Sequence, residues 1–129
     1  MNIASLLRYM QLMAHLGHNI LGGKTFFQDH EFLGSLYEAY EGHYDNIVER
    51  MIGLGEELDL VEVQKDAVSG LEAPKSHENC YKELLACEEE LCKMIEKLAK
   101  GSSQGTIDLI GGIGSDSEVR QYKLKQRLK

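Results

Sequence analysis

From Thr25 to about Leu54 the chain places apolar residues at helical spacing, with Phe26 and Phe27 at the start. Phe32, Leu33, Leu36, Tyr37, Tyr40, Ile47, Val48, Met51 and Ile52 follow along one side. Thr25 and Gln28 read as an N-cap and its partner three residues on, and Gly53 and Gly55 end the run. A helix of this length needs others to cover its apolar side. The rest of the chain supplies them. Ile3, Leu6, Leu7, Met10, Met13 and Ala14 mark a first helix from about Asn2 to Leu21, stopped by Gly22 and Gly23. Cys80, Leu84, Cys87, Leu91, Met94, Ile95 and Leu98 mark a third, from near Ser76 to Lys100.

Two segments are harder to assign. Glu56 to Lys75 holds Gly70 and the single proline, Pro74, and is long for a simple connection. A short helix around Leu58 to Val68 would make it a crossover, letting the second and third helices of a bundle run parallel. Thr106 to Lys129 contains Gly111, Gly112 and Gly114, each costing roughly 1 kcal/mol in a helix interior. Ser115 and Glu118 form a second capping-box pair. A kinked helix, or two short ones, is therefore expected here. The whole reads as all-α, one domain over residues 1–129.

The chain's 129 residues suffice to bury a core without disulfides or a structural metal. The formal charge of −7 argues against a dedicated nucleic-acid binder and suits a protein that handles cations. Cys80 and Cys87 lie about 10 Å apart along one helix, too far to bridge, and no C-x-x-C occurs. Reduced thiols in a cytoplasmic protein are expected. Arg8, Gln11, His15 and His18 interrupt the apolar N-terminus, which reads as the first helix and neither as a secretory leader nor as a membrane span.

The residues suited to chemistry are His18, His30, Asp45 and Glu49. Asp45 and Glu49, four apart, project from one helix face, and carboxylate with imidazole suits a divalent or trivalent metal. His30 and Asp45 are separated by about 22 Å in one straight helix, so they cannot bind one ion within a chain. A site using all four must lie where two chains meet, His18 and His30 from one and Asp45 and Glu49 from the other, twice over in a twofold dimer. His15, His43 and His77 read as surface or packing residues, and Tyr37, Tyr40 and Tyr44 as core and interface.

The run from His18 through Gly22, Phe26-Phe27 and His30, followed by Leu36-Tyr37 and Asp45-Asn46-Ile47-Val48-Glu49-Arg50, resembles the Dps family of mini-ferritins. The end of the chain, from Gly105-Thr106-Ile107-Asp108-Leu109 to Leu128, is more loosely similar to that family's last helix. The resemblance implies a ferritin-like four-helix bundle with a short extra helix in the crossover, built into hollow dodecameric shells with the dimer as minimum unit. It implies oxidation of Fe(II), often by peroxide, and storage of ferric mineral. His18 and His30 would be imidazole ligands from one subunit. Asp45 and Glu49 would be carboxylate ligands from its partner, with Glu49 bridging between irons. Two positions depart from the pattern: Gly34 stands where the family has an aspartate one turn after its second histidine, and Asn19 where it has a tryptophan. The basic N-terminal tail used on DNA is also lacking, so DNA is not an expected partner. The loss at Gly34 gives the alternative expectation, a non-catalytic assembly protein on the same fold.

Overall fold

A computed structural model describes residues Met1–Lys129 as five helices: α1 (Ile3–Ile20), α2 (Phe26–Gly53), α3 (Leu60–Val68), α4 (His77–Ala99) and α5 (Gln104–Arg127). They fall into two compact units, Met1–Cys80 and Tyr81–Lys129.

In the first unit, Asn2 caps α1: its side-chain oxygen accepts from the Ser5 backbone N–H at 2.8 Å and from the Ser5 hydroxyl at 2.9 Å. Leu7, Met10 and Ala14, spaced three and four apart, are fully buried. The chain leaves α1 in extended conformation at Leu21 and turns at Gly23, where φ is +106°, a value glycine adopts without a Cβ penalty. α1 and α2 then run antiparallel. Arg8 lies over the Tyr44 ring at 3.9 Å, Gly17 meets Leu33, and His18 meets His30, so the positions climb on one helix as they fall on the other.

α2 keeps the expected span, but its first turn is organised differently. Thr25 makes no side-chain bond to a backbone N–H and instead donates its hydroxyl to the Asp29 carboxylate at 2.6 Å. A carboxylate one turn on outcompetes the capping box because a charge-assisted bond is the stronger partner. Asp29 is buried and also lies 3.5 Å from His77 Nδ1, which ties the start of α4 to α2. The expected crossover helix is α3, capped by Asp59 through the N–H groups of Val61 and Glu62. It buries Val63 and Ala67, and Gln64 donates to the Tyr44 hydroxyl at 2.8 Å.

In the second unit α4 and α5 also pack antiparallel, joined through Gly101 at φ +83°. Of the two forms expected here, two short helices are ruled out: α5 is one unbroken helix through all three glycines. Thr106, Ile110, Ile113, Ser117, Arg120 and Leu124 alternate by four and three and are all buried. That face is continuous across the glycines, whereas Gly111 and Gly112 point to open space. Breaking the helix would expose the face, and a local propensity cost of about 1 kcal/mol per glycine is too small to force it. Arg120 adds a specific tie, donating to both oxygens of the fully buried Glu88 at 2.6 and 3.0 Å. Burial pushes the Glu88 carboxyl above its ordinary value, against the opposing pull of Arg120.

None of the three cysteines forms a disulfide. Cys80 is buried, with its thiol toward the Met13 carbonyl. Burial first, then the carboxylates of Glu83, Glu88 and Glu90, push the Cys87 thiol up to about 12, so it stays protonated and inert.

Candidate metal centre

The last turn of α1 and the first turns of α2 hold two histidines in a reciprocal clasp. His18 Nδ1 lies 2.7 Å from the His30 carbonyl oxygen, and His30 Nδ1 lies 2.8 Å from the His18 carbonyl oxygen. Only a protonated Nδ1 can donate to a carbonyl. Each neutral ring therefore keeps its lone pair on Nε2, the form in which histidine ligates a metal. The clasp also satisfies the His18 carbonyl, which has no helical partner so close to the end of α1. The rings stack at 3.6 Å with 18° between planes, and Phe26 stacks on His30 at 4.8 Å.

Tyr37 meets His18 edge-on at 5.2 Å. Gly34 lies directly beneath His18. A Cβ at that position would sit 3.3 Å from His18 Cε1 and 3.4 Å from its Nδ1. The missing side chain is what lets the imidazole rest so close to the α2 backbone.

Asp45 and Glu49 lie elsewhere, exposed and one turn apart on α2. α2 is a single helix of 28 residues, so His30 and Asp45 stand about 22 Å apart along it. The structure thus brings His18 to His30 and Asp45 beside Glu49, and keeps the two pairs apart. No group of three or more His, Cys, Asp or Glu side chains within the chain is disposed to hold an ion. The face of α2 that carries the carboxylates is exposed throughout, from Phe27 and Glu31 through Ser35, Glu38 and Gly42 to Ile52. Its ends are apolar: Phe27 is 81% exposed and Ile52 50%, with Ile20 and Leu54 also exposed.

One residue read as a surface or packing histidine belongs to this cluster. His15, one turn before His18, stacks flat on Tyr37 at 4.2 Å and lies 6.2 Å from the His18 ring. The H-x-x-H spacing of His15 and His18 was the signal in the sequence. No helix is long and apolar enough to cross a membrane.

A family model for the ferritin-like domain matches residues 2–129. Among solved structures, Dps from Listeria monocytogenes superposes with a TM-score of 0.78 at 21% identity, covering 99% of this chain and 94% of that one. Dps from Listeria innocua soaked with cobalt gives 0.78 at 22% identity, covering 99% and 92%. Comparison with curated protein sequences finds no match. The likeness shows the fold: an all-α four-helix bundle with an extra short helix.

Proposed function

The chain belongs to the ferritin-like family, and on that premise we propose that it binds and oxidises Fe(II) at a site completed by a second copy, and stores the ferric product. The observation that carries the reading is the His18–His30 clasp, which leaves two imidazole Nε2 atoms as ligands. Asp45 and Glu49, exposed on the unpartnered face of α2, are the natural complement. A twofold pairing that sets His30 of one copy against the Asp45–Glu49 turn of the other also sets Phe27 near the Ile52 end of its mate. Burying those exposed apolar residues favours the pairing. Three cysteines outside any disulfide fit a reducing compartment such as the cytoplasm.

Each residue then has a task. His18 and His30 hold Fe(II) through neutral nitrogen, with ring orientation set by the backbone. Asp45 and Glu49 supply anionic oxygen, which favours the harder and more highly charged Fe(III), so they pull the redox step forward. Two Fe(II) ions give two electrons to one hydrogen peroxide, whose O–O bond breaks to yield two hydroxides. Glu49, one turn beyond Asp45, would supply the carboxylate that the two irons share.

Anaerobic Fe(II) titration followed by peroxide, read by ferric absorbance, tests the reading. The native protein should bind Fe(II) and oxidise it rapidly, and Glu49→Ala should abolish oxidation with helical circular dichroism unchanged. Oxidation by Glu49→Ala at the native rate would refute the site. Gly34 favours one second reading, a ferritin-like protein kept for assembly after losing a carboxylate ligand. A native protein that assembles but ignores iron would establish it.

A further inference from the structure

Building on the two-chain site proposed above, we infer that His15 is a further ligand of that site. Its imidazole, paired with that of His18, then stands in for the carboxylate absent at Gly34, and the site takes divalent ions that favour nitrogen donors, such as Co(II) and Zn(II).

Three observations converge. The first is reach. With metal–nitrogen bonds of about 2.0–2.1 Å, the centre of a ligating imidazole lies about 3.2 Å from its ion, so two rings on opposite sides of one ion have centres up to about 6.4 Å apart. The His15 and His18 centres are 6.2 Å apart, with 56° between planes. The second is order. His15 is exposed, yet its ring is held flat against Tyr37 at 4.2 Å and 10°, and Tyr37 in turn packs edge-on against His18. A ring stacked in this way keeps less rotamer freedom than an unstacked surface histidine, so that part of the ordering cost of binding is already met. His15 meets its neighbours through ring contacts alone, which leaves both of its nitrogens for a ligand.

The third is the gap. Gly34 brings no side chain to the cluster, and its backbone is pressed against His18. One chain thus offers His15 and His18 as an adjacent pair, short of the three donors that would hold an ion alone, and the carboxylates of a second copy complete the set. Replacing a carboxylate by an imidazole removes one negative charge and one hard oxygen. Imidazole suits cobalt, nickel, copper and zinc, whereas carboxylate suits manganese and magnesium. The neutral donor also supports the divalent state over the trivalent one.

Co(II) is the probe, because its d–d absorption responds to the number of nitrogen donors. Titrations of Co(II) and Mn(II) would be run on the native protein, His15→Phe and Glu49→Ala, with circular dichroism as a folding control. Phenylalanine keeps the stack on Tyr37 and removes only the nitrogens. His15→Phe should shift the visible band and weaken Co(II) roughly tenfold or more, with Mn(II) changed by less than about threefold. An unchanged band and affinity in His15→Phe, with binding lost in Glu49→Ala, would overturn the assignment of His15 while leaving the site itself standing. Absence of Co(II), Mn(II) and Fe(II) binding by the native protein would overturn both.

Discussion

Gly34 concentrates the chemistry of the site at a single position. Its Cα hydrogen faces the His18 ring, and any side chain there must displace that ring by a few tenths of an ångström. Two substitutions separate space from charge. Gly34→Ala adds the Cβ alone and gains up to about 1 kcal/mol of helix propensity. Gly34→Asp adds the same Cβ and an oxygen ligand. The aspartate should tighten Fe(II) binding in the anaerobic titration and the alanine should not. Equal behaviour of the two would mean that a missing carboxylate is not what limits this site.

Among the elements, α4 and α5 show how one buried pair can override local preference. Glu88 is fully buried and Arg120 nearly so, and two hydrogen bonds join them. Around them, Ser117 donates to the Glu88 carbonyl at 3.3 Å, and Gln121 donates to Ser117 at 3.1 Å. Removing one partner strands the other charge away from water, which typically costs about 3–5 kcal/mol. Glu88→Gln should therefore lower unfolding stability by about that amount in urea titrations. Replacing both residues, as Glu88→Leu with Arg120→Met, should recover most of the loss. A single variant as stable as the native chain would show that the pair does not hold these helices together. The glycines of α5 are affordable only because this face is buried along its whole length.

At the scale of the whole molecule, the exposed side of α2 is the open question that function answers. A 28-residue helix has one face uncovered from end to end, acidic along its middle and apolar at its tips, and this is the face on which the proposed pairing rests. Phe27 is the sharpest probe, since at 81% exposure its replacement removes almost no packing within the chain. Phe27→Asp should leave circular dichroism and melting of the subunit nearly unchanged while reducing particle size in sedimentation velocity. Iron oxidation should fall with it, because in the proposed site the carboxylates come from the second copy. A native protein that sediments as a monomer, or a Phe27→Asp variant that assembles normally, would rule out the pairing.

Periodicity alone determined most of the elements. Leu7, Met10, Leu33, Leu36, Leu84 and Leu91 were identifiable as core because a 3.6-residue repeat puts them on one stripe, and α1 to α4 end within a few residues of a glycine. The crossover helix was legible for the same reason, and the separation of His30 from Asp45 followed from the rise of the helix alone. Three features depended on tertiary structure. Thr25 bonds Asp29 rather than the backbone, because Asp29 is buried against His77 from a distant helix. α5 stays whole because Ile110, Ile113, Ser117 and Arg120 bury a face that local propensities cannot weigh. His15 joins the histidine cluster because Tyr37, on another helix, provides a flat surface for its ring. Local rules register a residue's neighbours along the chain; the competition among hydrogen bonds, and the company a side chain keeps, are decided only when helices meet.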